Sequence, residues 1–230
     1  MSEIMLLSIT AASVAMVHTL LGPDHYLPFV AMAKARGWSI SRTLRMTLWC
    51  GLGHIVGSVL LGIVGVAIGS QLAALNWIEG VRGDLAAWAL LAFGMVYLAW
   101  GLRHAYKSKD EIEHGMMHGH HHSKVAGAHD ATAKSRSPRA YWALFLIFVL
   151  GPCEPLIPLL MYPAALGNVW TAVIVSSVFG VVTVITMLFA VSVSAWGVSF
   201  IKVPKFEKFS HALAGSTILM CGASMVFLGL

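Results

Sequence analysis

The chain has 230 residues, 58% of them hydrophobic and only 11% charged, with mean hydropathy +0.78 and a formal net charge of +5. Soluble domains carry roughly 45–50% apolar and about 25% charged residues, so this composition excludes an ordinary water-soluble globule and predicts a protein whose solvent is a bilayer. The basic excess is accounted for below as an orientation signal, which leaves no reason to invoke a nucleic-acid partner.

In chain order, apolar stretches long enough for the roughly 20 residues that a span needs fall near 4–30, 46–74, 84–104, 141–166, 169–198 and 209–230. The fold class predicted is all-α integral membrane, with six transmembrane helices. Met1-Ser2-Glu3-Ile4 lacks the basic segment of a secretory signal, and no small-residue cleavage site follows it, so the first apolar run is expected to remain as a span. Lys34, Arg36, Arg42 and Arg45 follow span one. Arg103, Lys107, Lys109, Lys124, Lys134, Arg136 and Arg139 lie between spans three and four, and Lys202, Lys205 and Lys208 join spans five and six. Arg82 alone falls in an alternate loop on these boundaries. The positive-inside rule then puts the three basic connections in the cytoplasm and both termini outside it, in an inner or plasma membrane. Trp49, Trp88, Trp100, Trp142 and Trp170 flank spans as interfacial aromatics do.

The two halves resemble each other. Leu21-Gly22-Pro23-Asp24-His25 aligns with Leu150-Gly151-Pro152-Cys153-Glu154, and Met95-Val96-Tyr97-Leu98 with Met225-Val226-Phe227-Leu228. A repeat of three spans enters the membrane from the opposite side the second time. The predicted architecture is therefore two inverted three-helix repeats, 1–105 and 141–230, joined by a cytoplasmic linker at 106–140. Proline removes a backbone donor and clashes with the preceding turn, so the first helix of each half is expected to break at its Gly-Pro step. Pro28, Pro155, Pro158 and Pro163 add to that expectation. Paired breaks at matching positions point to a site in mid-membrane.

Of the ten acidic residues, Asp24 and Glu154 are the two well inside the predicted spans, each beside a Gly-Pro step, while Asp84 stands at a span end. A charge at the bilayer centre costs about 2.5–3.5 kcal/mol on insertion scales, so such groups face a cavity and a partner. No Lys or Arg lies in the predicted spans away from their ends, which makes a cation or a proton the expected counter-charge; capping of the broken helix is the plainer alternative. His18 and His25 in span one, His54 in span two and Cys153 in span four complete the set. Imidazole, carboxylate and thiolate together suit nickel, cobalt or zinc. The expected metal site is His18, Asp24, His25, His54, Cys153 and Glu154. In an unbroken helix His18 and His25 stand about 10.5 Å apart along the axis, so Asp24 and His25 are placed at the centre and His18 on the approach. Gly53 and Gly57 form a small-residue face that lets span two pack closely.

The linker carries His114, His118, His120, His121 and His122, with His129 nearby, a composition that reads as a weak, flexible metal site. The three cysteines, Cys50, Cys153 and Cys221, form no CxxC. No phosphate-binding GxxxxGK[ST] is present, so no ATPase domain is expected in this chain, and no covalent-catalysis site is legible.

His18-Thr19-Leu20-Leu21-Gly22-Pro23-Asp24-His25, followed by Trp49-Cys50-Gly51-Leu52-Gly53-His54, resembles the nickel/cobalt transporter family and the related membrane urease accessory proteins over roughly residues 14–60. The resemblance implies secondary transport of a divalent metal by alternating access, not an enzyme, with His18, Asp24, His25 and His54 handling the ion. It implies no permanent cofactor. The partners it implies are the metal and the lipid bilayer; a homo-oligomer is left open. Gly151-Pro152-Cys153-Glu154-Pro155 is similar to the Pro-Cys-x-x-Pro segments of six-helix thiol-electron carriers of cytochrome c maturation. Those carriers have a cysteine in each half, and here Asp24 stands opposite Cys153. A thiol-disulfide electron carrier, or an accessory protein that holds metal without transporting it, is the alternative function.

Overall fold

The computed structural model describes residues 3–67, 72–117, 138–153, 155–165, 167–200 and 209–229, and it is helical, without a strand among those residues. Helix α1 (Glu3–Leu21) runs into a 3-10 turn at Pro23–His25 and resumes as α2 (Leu27–Arg36). Then come α3 (Ile40–Ala67), α4 (Leu72–Met117), α5 (Pro138–Leu150), α6 (Leu156–Ala165), α7 (Val169–Ser199) and α8 (Ser210–Leu228). Among the described residues five helices are long and apolar enough to cross a membrane, within 3–21, 40–63, 76–106, 169–199 and 210–228, and Ala140–Leu150 is a shorter apolar helix. The protein is an all-α, multi-pass membrane protein. Large apolar side chains such as Leu21, Val96, Trp170, Phe189 and Met220 are exposed outward, as lipid-facing surfaces require.

Both expected breaks are present. The α1 ladder ends where the Gly22 N–H donates to His18 O at 3.0 Å, because Pro23 has no N–H to continue it. The His25 N–H then bonds Gly22 O at 3.1 Å, and helical pairing resumes with the Val30 N–H on Tyr26 O. Helix α2 closes at Gly37 (φ 61°), with the Trp38 N–H reaching back to Ala33 O at 2.9 Å, the Schellman closure that a left-handed glycine permits. The span predicted at 141–166 is divided in the same way into α5 and α6 around Gly151-Pro152-Cys153.

Packing pairs the halves with each other. Helix α1 lies on α7, while α3 lies on α5 and α6, so each broken helix pair packs against a long helix of the other half. Helices α4 and α8 form the most extensive interface, through Gly94 and Gly101 on one side and Gly215 and Gly222 on the other. One core cluster is built on Phe29, Met32, Leu90, Phe148, Met187 and Ile218. A second, around Ala11, Ala15, Cys153, Leu156, Val175 and Phe179, fills the space between α1, α6 and α7.

The third span differs from its prediction. It begins well before residue 84, since the apolar stretch of α4 covers Asn76–Tyr106, and it therefore contains Glu79 and Arg82. Arg82 is thus in a helix and not in a loop. Helix α4 also continues to Met117, so the predicted linker starts as helix, while 118–137 lie outside the described residues.

Candidate functional site between the two helix breaks

The two breaks meet at a cavity of about 440 Å³. His18, Gly22, Asp24 and His25 line it from the first break, Gly151 and Pro152 from the second, and His54 from α3. Gly80, Gly83 and Asp84 at the start of α4 and Met225 and Gly229 at the end of α8 close its rim.

The separation expected for His18 and His25 is overturned: their ring centroids are 5.1 Å apart, edge to face. The 10.5 Å estimate assumed a continuous helix, and the 3-10 turn after Gly22 folds His25 back beside His18. His54 joins the row at 5.7 Å from His25, again edge to face. His54 Nδ1 is 3.2 Å from the Phe148 carbonyl, and His25 Nδ1 is 3.2 Å from Gly22 O and 3.3 Å from Asp24 Oδ2. A ring nitrogen that faces a carbonyl carries the proton, so in the neutral tautomers of His25 and His54 the opposite nitrogen, Nε2, presents a lone pair. The Nε2 atoms of His18, His25 and His54 are all buried without a hydrogen-bond partner among the described residues. However, among those residues no three His, Cys, Asp or Glu side chains are grouped closely enough to hold a metal ion. The histidines share a cavity, not a coordination sphere.

Gly22 sets this arrangement. A Cβ there would lie 2.6 Å from His25 Nδ1 and 2.9 Å from Asp24 Oδ1. Gly22→Ala is expected to push the His25 ring off its carbonyl and to cost about 1–3 kcal/mol, as overpacking does. Thermal unfolding in detergent reads the loss, and the His25 imidazole resonances should shift while those of His211 stay in place.

Cys153 is not part of the cavity lining. It is fully buried in the cluster formed with α1, α6 and α7. Glu154, His118, His120, His121 and His122 lie outside the described residues, and of His114 only the backbone, in α4, is described. Cys50 and Cys221 are buried in the other core cluster, and all three cysteines are free thiols.

The main polar feature missed in the sequence is a buried ion pair. Glu79, 0% exposed, is bonded to Arg82 one turn further along α4. The expectation that no basic residue lies within the spans is thereby corrected. Arg82 Nη2 donates to Val149 O at 3.1 Å and to Gly151 O at 3.0 Å, which are orphan carbonyls at the end of α5. Glu79 Oε2 accepts the Cys153 N–H at 3.2 Å, just ahead of α6. A cation thus meets a helix C-terminus and an anion meets the approach to a helix N-terminus, the arrangement that complements both dipoles. The signal was present in the sequence as an acid and a base at i,i+3 flanked by Trp77, Ile78, Val81 and Leu85.

Fold and site define a polytopic helical membrane protein whose two helix breaks line one cavity, with three histidines on its wall. The sequence matches the family described as cytochrome C biogenesis protein transmembrane region over residues 27–224, and the chain belongs to that family. No curated protein and no solved structure matches it. The family corrects the resemblance to nickel/cobalt transporters, and with it the expectation of nickel or cobalt transport. That resemblance rested on residues 14–60, and the His18 to His25 segment at its centre lies ahead of the matched range. Broken helices and a duplicated three-helix unit are shared by many membrane proteins, so a local histidine pattern carried less weight than a match through both halves.

Proposed function

We propose that the chain carries out thiol–disulfide exchange at a membrane in cytochrome c biogenesis, with Cys153 as its exchanging thiol. The observation that carries this reading is the family match through both halves, with Cys153 set in the second helix break. In the exchange, the Cys153 thiolate attacks one sulfur of a partner's disulfide. A mixed disulfide forms and the partner's other sulfur leaves as a thiolate. A thiol of a second partner then attacks the mixed disulfide, which returns Cys153 to the reduced state. A further thiol on that partner completes the transfer of one disulfide, two electrons and two protons in all. Partner chains supply the other sulfurs, because Asp24 stands where the first half of a two-cysteine carrier has its thiol.

Alkylation of membranes under oxidising and reducing conditions tests the proposal. A thiol-reversible, higher-mass adduct is expected on non-reducing gels, absent in Cys153→Ser and retained in Cys50→Ser and Cys221→Ser. The proposal is sunk if no cysteine changes its redox state, or if the adduct persists in Cys153→Ser.

A further inference from the structure

Arg82 and Glu79 together reach both the α5 end of the second break and Cys153. Arg82 holds the end of α5 by two carbonyls, Val149 O and Gly151 O, and Glu79 holds the Cys153 N–H. The same guanidinium is 3.5 Å from Ser58 Oγ on α3, and a Cβ at Gly57 would lie 3.4 Å from its Nη2. Pro152 packs on the other side, where a Cβ at Gly83 would lie 3.0 Å from its Cγ. The break is therefore clamped from α4 by a fully buried carboxylate and a half-buried guanidinium, while the Cys153 side chain has no exposed surface. A thiol in that position cannot meet a partner's disulfide until the break moves, and the polar contacts that resist such movement are the three bonds to α4, beside the apolar packing around the thiol.

We infer that Glu79 and Arg82 are positioning residues that hold the α5–α6 break closed over Cys153, so that release of this clamp is what admits a partner's disulfide. The inference rests on Cys153 being the exchanging thiol. Backbone carbonyls and an amide are the targets of these hydrogen bonds, so the clamp acts on chain conformation. Arg serves better than Lys because its planar fork bonds two carbonyls and a carboxylate at once.

The test is the rate of maleimide labelling of Cys153 in the full-length chain in membranes, with Cys50 and Cys221 replaced by Ser. Glu79→Gln and Arg82→Gln are each expected to raise that rate about tenfold or more, since an ion pair broken from one side leaves its other member uncompensated. Arg82→Lys is expected to give a smaller rise. Where Arg82→Gln does not accumulate, Glu79→Gln and Arg82→Lys carry the test. In parallel chains that keep only Cys221, which is buried on α8, the same substitutions should leave labelling unchanged. Unchanged Cys153 labelling overturns the inference, and so does an equal rise at Cys221, which would mean general loosening. Mixed-disulfide formation separates the two readings. An adduct at Cys153 with labelling insensitive to the clamp keeps the exchange and removes the inference. Clamp-sensitive labelling without any adduct keeps the clamp but leaves no thiol exchange for it to serve.

Discussion

Replacing Arg82 with Met is expected to destabilise the protein by about 3–5 kcal/mol, the cost of leaving a buried charge without its partner. Glu79 is 0% exposed, so its carboxylate cannot turn to water once the guanidinium is gone. Val149 O and Gly151 O lose a charged donor in the same step. The double variant Glu79→Gln with Arg82→Met should be less destabilised than Arg82→Met alone, because it removes the stranded charge. The Gln amide oxygen can still accept from the Cys153 N–H. Such non-additivity is the signature of two groups acting as one unit. Unfolding of detergent-purified variants by SDS titration or heat reads all three values. A double variant at the sum of the single losses would show that the pair is not coupled and that Arg82 acts through the carbonyls alone.

The second large effect is expected at the α4–α8 interface. A Cβ at Gly94 would stand 2.4 Å from the Leu219 backbone N, and one at Gly215 would stand 2.4 Å from the Leu98 backbone N. Alanine at these helical sites gains up to about 1 kcal/mol in propensity over glycine, but the obstruction is backbone, which no rotamer change can relieve. Gly94→Val and Gly215→Val should each cost about 1–3 kcal/mol or more by forcing the helices apart. Small residues are what allow helices to approach closely where lipid supplies no hydrophobic drive. Gly197, on α7, is the control, since nothing lies within 4 Å of its Cβ direction. Gly197→Ala is expected to be neutral or to stabilise by up to about 1 kcal/mol. Thermal stability of the three variants in one detergent decides the matter, and equal losses at 94, 215 and 197 would remove the interface explanation.

The two interfaces bear on function differently. The α4–α8 contact is the most extensive among the described helices and fixes the scaffold. The clamp uses the opening turns of the same α4 to hold the break beside Cys153. One helix therefore ties the scaffold to the segment that has to move, and Gly57 and Gly83 keep the surroundings of that segment free of side chains.

Hydropathy alone made the membrane character and most of the span positions legible, because a bilayer demands long apolar helices whatever their neighbours are. Local chemistry made both breaks legible, since Gly22-Pro23 and Gly151-Pro152 interrupt a helix through a missing N–H and a ring clash. The duplicated motif also pointed to the meeting of Asp24, His25 and His54 at the breaks. What lay beyond the breaks was decided by tertiary structure. Helical periodicity cannot be carried through a 3-10 turn, which is why His18 and His25 are neighbours and not 10.5 Å apart. Nor does periodicity tell that Cys153, beside Pro152, packs in an apolar cluster with Ala11, Ala15 and Phe179. Arg82 read as a loop residue, and Glu79 fell in the same gap between predicted spans, because charge lowers a hydropathy window. Only their pairing with each other and with the carbonyls of α5 makes them residents of a span. The sequence by itself determined a bilayer protein with two breaks; the packing of α4 against the second break decided which charges are buried there, because a buried charge is tolerated only where a partner is already in place.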